Sequence, residues 1–294
     1  MKRLLLLHIC LVLFLFGQNG LLGALELEII GGINNLTYHP DRDIPYSQSS
    51  NHRQFKPYPF GLANISLRGD ITGILEFDIS IKRDNILRNN INSTFISRTD
   101  YFRFEFGPFI GIDDSFNKPH AGIIGGIEFT LPGTAFLSLS GSSTLGSQLD
   151  FTSNNFQEHA GIKLGFWLPN VIPSLSANFK SFSKYHNEFF TTRDMLTRIH
   201  ASVDLFSKNS PFTCRIDAGY ETLTRVYKRG NTETTDALSA FFAGLEMNIQ
   251  IMRPFRLIIG LETPVYYTAA APMTMPAEFW TLFKAYLGFT YTFF

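Results

Sequence analysis

From residue 25 onward, apolar and polar side chains alternate in repeated segments of about ten to twelve residues. In ITGILEFDISIKR, Ile71, Gly73, Leu75, Phe77, Ile79 and Ile81 share one face. Thr72, Ile74, Glu76, Asp78, Ser80 and Lys82 share the other. Period-two alternation marks a strand, because successive side chains leave opposite faces of a pleated sheet. A soluble sandwich is satisfied by strands of about five or six residues. A tilted strand that crosses a bilayer needs about 9–11, and these are that long. The pattern predicts an all-β fold: a transmembrane antiparallel up-and-down β-barrel.

Fourteen strands are predicted, at 25–36, 57–68, 71–82, 91–97, 101–111, 119–130, 134–141, 156–168, 174–183, 193–206, 212–223, 236–249, 254–263 and 278–293. The segment INSTFIS at 91–97 has the weakest pattern. In membrane barrels, short turns at one end alternate with longer loops at the other. Gly69-Asp70, Leu131-Pro132-Gly133, 169–173, 207–211 and 250–253 read as tight turns rich in Gly, Pro and Asn. Segments 37–56, 112–118, 142–155, 184–192, 224–235 and 264–277 read as longer polar loops. Short and long stay in phase only if 91–97 is a strand followed by a turn at Ser97–Asp100. Bacterial single-chain barrels also have even strand numbers. Twelve strands is the alternative.

With this parity one face is nearly free of charge. It carries Phe77, Ile79, Ile81, Phe102, Phe104, Phe106, Ile123, Ile127, Phe129, Ile162, Leu164 and Phe166. It continues through Ile199, Ala201, Val203, Leu205, Leu245, Met247, Ile249, Phe255, Leu257, Ile259 and Leu261. A charge at the bilayer midplane costs about 2–4 kcal/mol, so such a stripe suits lipid contact. Tyr58, Phe60, Phe212, Tyr220, Tyr266, Tyr267, Trp280 and Tyr291 lie near strand ends, where interfacial aromatic girdles form.

The opposite face is ionic: Glu76, Asp78, Lys82, Arg103, Glu105, Glu128, Lys163, Lys180, Arg198, Asp204, Arg215, Asp217, Glu246, Arg256, Glu262 and Lys284. In a dry core each of these would cost several kcal/mol unless paired; a water-filled lumen removes that cost. Fourteen strands enclose more space than side chains alone fill, so these residues are expected to line a solvated channel. A packed interior with the charges paired into a network is the competing reading.

The first residues change the compartment. Lys2 and Arg3, the apolar run Leu4–Phe16 and Gly23-Ala24 have the layout of a secretory signal, cleaved before Leu25. Residues 25–294 then form a single barrel domain, with no plug domain ahead of the first strand. Only Cys214 remains, which allows neither an internal disulfide nor a cysteine metal site. Without Lys2 and Arg3 the balance is 23 basic to 25 acidic residues, which argues against a nucleic-acid partner. The chain is 45% apolar with 30 Phe, yet no later run of about 18 apolar residues suggests a membrane helix.

In EFWTLFKAYLGFTYTFF, the alternate positions Phe283, Ala285, Leu287, Phe289, Tyr291 and Phe293 are apolar and the sequence stops on Phe294. This resembles the C-terminal signature of bacterial outer-membrane β-barrel proteins, which ends in an aromatic residue. The resemblance implies that Phe289, Tyr291, Phe293 and Phe294 form the signal read by the barrel-assembly machinery. The departure is that the apolar stripe ends at Phe293, one residue early. Fourteen strands on about 270 residues is similar in size to the monomeric general porins. The resemblance is porin-like at the level of class and names no subfamily. It implies the outer membrane of a diderm bacterium, with outer-membrane lipids and small hydrophilic solutes as partners.

Catalytic, cofactor and metal roles are assigned to no residue. His200-Ala201-Ser202 resembles the catalytic triplet of outer-membrane phospholipases and lipid A deacylases, but alternation turns His200 and Ser202 inward, away from acyl chains. His186 and Glu188 lack the paired carboxylates of omptin-like proteases. Gly31-Gly32 and Gly125-Gly126 lack the strand–helix context and lysine of a phosphate loop. The expected function is a non-enzymatic, porin-like channel for passive diffusion of small hydrophilic solutes. Two alternatives remain. One is a non-conducting structural or adhesive surface barrel that binds a partner through segment 37–56 and its other loops. The other is a transporter of hydrophobic substrates.

Overall fold

In a computed structural model of the chain, residues 24–37, 53–54, 59–71, 73–113, 119–145, 155–187, 190–206, 210–269, 273–274 and 282–293 are described. The strands are β1 (Leu25–Asn34), β2 (Arg53–Gln54), β3 (Phe60–Asp70), β4 (Leu75–Asp84), β5 (Arg88–Arg98), β6 (Phe102–Ile112), β7 (His120–Leu131) and β8 (Ala135–Thr144). They continue with β9 (Phe156–Phe166), β10 (Val171–Asn187), β11 (Phe190–Leu205), β12 (Phe212–Arg229), β13 (Thr232–Met252), β14 (Phe255–Ala269), β15 (Met273–Thr274) and β16 (Lys284–Phe293). β2 and β15 make a separate two-stranded parallel sheet. The other fourteen strands close one barrel, each hydrogen-bonded to its neighbour in the chain.

Closure is made by β1 against β16, from Leu25↔Phe293 to Asn34↔Lys284. The first and last strands thus begin and finish at one end of the cylinder, here the terminal end; the other is the loop end. Closure leaves no unpaired edge, which is what a sheet surrounded by lipid requires. The segment 91–97, weakest in pattern, lies in the middle of β5 and pairs with both neighbours.

Large apolar side chains stand exposed on the outside: Phe106 is 62% exposed, Ile162 46% and Leu287 59%. The apolar band stops toward the loop end, where Arg193 and Glu158 pair across the outer face at 3.2 Å. Tyr220 lies against Phe241 with the rings tilted and their centroids 5.0 Å apart. Near the terminal end, Phe212 sits beside Phe206 and Tyr291 beside Phe293. An apolar exterior of this kind on a closed barrel suits contact with lipid. Two expected girdle residues point the other way. Phe60 shares the inward parity of Leu62 and is 1% exposed. Tyr267 turns inward because Val265 is a β-bulge: Phe242 faces Pro264, but Phe241 faces Tyr266. Pro264 has no N–H to give the ladder, and proline in a sheet concentrates at such irregularities. Tyr58 and Trp280 lie outside the described residues.

The connections also depart from expectation. The described residues of segments 184–192 and 224–235 are strand but for the turn at Gly230 and Asn231. β10 and β11 run to within two residues of each other, and β12 and β13 turn through Gly230 and Asn231, with φ +57° at Gly230. Their polar alternation, Thr222, Thr224 and Lys228 outward, is that of strands standing beyond the lipid. Between β4 and β5 only Asn85–Leu87 intervene. Gly69-Asp70 belongs to β3, and the turn follows it, with the Asp70 carboxylate accepting a hydrogen bond from the Gly73 amide.

Candidate functional site

The inward face encloses a cavity of about 730 Å3. Half of the ionic positions predicted from the sequence line it: Asp78, Lys82, Glu105, Lys180, Arg198, Glu246, Glu262 and Lys284. Lys163 borders an adjoining recess of about 280 Å3 with Ser138, Ser176, Asn178 and His200. Glu76, Arg103, Glu128, Asp204, Arg215, Asp217 and Arg256 keep the same inward parity nearer the terminal end.

The interior has three levels. Toward the terminal end, ion pairs cross adjacent strands: Arg68–Asp78 at 3.2 Å, Arg98–Glu76 at 3.1 Å and Arg215–Asp204 at 2.6 Å. Arg103 and Glu105 pair along β6 at 3.6 Å.

At mid-height Arg198 donates from both terminal nitrogens to Glu262, at 2.8 and 2.6 Å, and lies 3.5 Å from Glu221. Its guanidinium stacks 3.7 Å over the Phe242 ring. Lys284 stands 3.8 Å from Glu262, and the Tyr286 hydroxyl donates to Glu246 at 2.6 Å. The arc from β11 to β16 is therefore ionic. Across the cavity Asp78, Lys82, Glu105 and Lys180 stand among small neutral groups: Asn92, Thr94, Ser140, Ser142 and Asn178.

At the loop end the interior is dry. Leu36, Ile86, Phe182, Leu223, Leu238, Ala240 and Leu282 form one buried cluster, with Leu87, Leu196, Tyr267 and Ala269 packed against it. Phe109 and His120 adjoin it, the His120 ring 5.8 Å from Phe182 and its Nε2 3.0 Å from Gln157. The β4–β5 tip supplies Ile86, which is 1% exposed. Charge contacts tie that tip to β10 and β11. Arg88 Nη2 lies 2.5 Å from Asp194 Oδ2, Arg225 holds the same carboxylate at 2.5 and 2.7 Å, and Lys180 Nζ donates to Asp84 at 2.5 Å.

In the barrel order β4 and β5 stand almost diametrically opposite β10 and β11. With strands about 4.8 Å apart and tilted about 40°, a round barrel of this strand number is about 28 Å across. From bond lengths of about 1.5 Å, an arginine reaches about 7 Å and an aspartate about 3.5 Å from Cα. Contact between Arg88 and Asp194 thus places their backbones within about 13 Å, under half the round span. The interior holds an open cavity at mid-height and is interrupted at the loop end.

Several lining residues escaped the sequence reading. Glu221 continues the inward parity of Arg215 and Asp217, so alternation alone could have found it. The neutral lining residues carry no charge to mark them. Asp84, Arg88 and Arg225 fell outside the strands read from the sequence, and nothing local signals their meeting with Asp194 or Lys180. The remaining sequence candidates are placed apart. Ser202 Oγ lies 2.7 Å from Ser174 Oγ, while His200 lines the cavity with its ring 6.2 Å from Phe242. His186 Nε2 lies 3.0 Å from Thr192 Oγ1, and Glu188 lies outside the described residues. Gly31-Gly32 and Gly125-Gly126 lie within β1 and β7. Phe289 stacks on Phe255 at 5.4 Å; with Tyr291 and Phe293 it follows the outward parity, and Phe294 is outside the described residues. Among the described residues, no group of three or more His, Cys, Asp or Glu is arranged to hold a metal ion.

No family model matches the chain, and no curated protein matches it in sequence. Solved structures are similar in architecture. OmpT, an outer membrane protein of Vibrio cholerae, is 8% identical, covering 92% of this chain and 97% of its own, with a TM-score of 0.42. A bacterial polysaccharide outer membrane secretin gives 8% identity, the same coverage and a TM-score of 0.47. A porin gives 9% identity over 92% of this chain and 100% of its own, with a TM-score of 0.40. These likenesses concern the barrel alone.

Proposed function

We propose that this barrel is an outer-membrane conduit for small hydrophilic solutes, with its terminal end in the periplasm. The observation that carries the proposal is the cavity of about 730 Å3, walled by carboxylates, cationic groups, amides and hydroxyls. A polar solute that leaves water meets replacement hydrogen bonds there, while an apolar one meets desolvated charge. The two signs are interleaved along the wall, so ion selectivity is expected to be weak. The proposal gives the protein no catalytic role and no cofactor.

The test is swelling of liposomes that hold the purified, folded full chain, in isotonic small sugars and amino acids. Permeation above that of protein-free vesicles is expected. A second reading, a closed surface barrel with a structural or adhesive role, is favoured by the dry layer at the loop end. It forecasts no swelling, whether that layer is intact or disrupted.

A further inference from the structure

The closure at the loop end rests on a piece of the barrel wall that, among the described residues, has no ladder pairing to β3 or β6. β4 pairs with β3 only as far as Arg83↔Ala63, and β5 pairs with β6 from Asn89↔Ile112. The last rung, Asp84↔Arg88, and the turn above it belong to β4 and β5 alone. Asp84 fixes the shape of this tip, accepting hydrogen bonds on Oδ1 from the Ile86 and Leu87 amides at 2.8 and 3.0 Å. Its other oxygen takes the Lys180 ammonium. Arg88 sits in the left-handed region, with φ +64°, a conformation that a non-glycine residue keeps only when its surroundings enforce it. The Arg88 guanidinium reaches across the lumen to the carboxylate of Asp194, shared with Arg225, and lies 5.6 Å over the Phe60 ring of β3, while Ile86 enters the apolar cluster.

Resting on the conduit reading, we propose that the β4–β5 tip, residues 84–88, is a gate. It closes the loop end by reaching the opposite wall, and it opens by withdrawing toward the line of β3 and β6. The physical logic is two-state. Docked, the tip buries Ile86 and satisfies two charge contacts. Withdrawn, it gives Arg88, Asp84 and Lys180 to water, where charges are well solvated, so the loss is partly recovered. No ladder hydrogen bond to β3 or β6 has to break. Asp194 keeps Arg225 as a partner in either state. Arg225 in turn faces Asp236 across β12 and β13, and Lys180 stays on β10, so two carboxylates and two cations balance on the receiving wall when the tip leaves.

The experiment compares four full-length proteins in liposomes and planar bilayers, with folding checked by circular dichroism. They are the wild type, the double variant Arg88→Gln/Lys180→Gln, Ile86→Asn, and the outer-face control Arg193→Gln. The double variant removes both tethers and leaves the turn held by Asp84. Ile86→Asn instead wets the apolar contact, so either variant reads the gate if the other does not fold. Expected is a rise of about tenfold or more in the sugar swelling rate for the unsealed variants, with the control matching wild type. Tenfold corresponds to a shift of about 1.4 kcal/mol in the closed–open balance. A wild type that already permeates as fast as the folded unsealed variants overturns the gate and leaves the conduit standing. Folded, unsealed variants that admit no solute overturn the conduit itself.

Discussion

At the scale of single residues, aromatic rings are laid over glycines on the facing strand. The Phe109 ring occupies the space above Gly122, so that a Cβ there would meet ring carbons at 2.4 Å. Tyr286 over Gly260 and Phe136 over Gly165 repeat the arrangement. The missing side chain lets a large inward ring lie flat on the wall instead of filling the lumen, which packs the interior without blocking it. Gly122→Val is expected to press on both the Phe109 ring and the Ser143 carbonyl oxygen, which a Cβ would meet at 2.2 Å, and to destabilise the barrel by about 1–3 kcal/mol. A lowered urea midpoint in detergent or vesicles would report it. Gly125→Ala, where the nearest atom is 3.9 Å away, should leave the midpoint unchanged.

At the scale of elements, one extra residue decides what β14 shows to each side. Below Val265, Glu262 and Pro264 face inward; above it, Tyr267 and Ala269 do. Deleting Val265 is expected to remove the bulge and leave the upper strand facing as before, because Pro264 inward is then followed by Tyr266 outward and Tyr267 inward. Tyr267→Asn, by contrast, is expected to wet the dry layer and raise the swelling rate. An unchanged rate in folded Tyr267→Asn protein would count against a part for Tyr267 in closure. β10 to β13 run 17, 16, 18 and 21 residues, well beyond the span of about 9–11 that a bilayer requires. They form a raised wall on one side, and the docked tip of the short β4–β5 hairpin leans against its inner face.

At the scale of the whole molecule, sidedness and lipid contact become testable. Lys228 and Arg229 are exposed at the top of the raised wall, at the end predicted to face outward. Trypsin added to intact cells should cut there and give two fragments. Cleavage only after the outer membrane is breached would reverse the orientation. Ile162 belongs to the lipid face, and Ile162→Lys should cost about 2–4 kcal/mol if it lies at the midplane. Urea unfolding in lipid vesicles measures that cost, and Ser140→Lys, on the cavity wall, should move the midpoint far less.

Alternation at the residue level is a local property, and the chain carries it openly. It placed all fourteen barrel strands, including the weakly patterned 91–97, and it sorted Ile162, Leu287, Arg198 and Glu262 to the correct sides. The physical reason is that a strand's two faces follow from backbone geometry alone, wherever its neighbours are. Contacts that span the lumen follow no such rule. Asp194 lies 106 residues from Arg88, and their meeting depends on how the closed cylinder bends at the loop end. The same holds for the bulge at Val265, whose parity switch leaves no trace in periodicity, and for polar segments that continue as strands beyond the lipid. Sequence therefore determined the wall and its two faces; only the tertiary structure decided that the wall folds across its own opening.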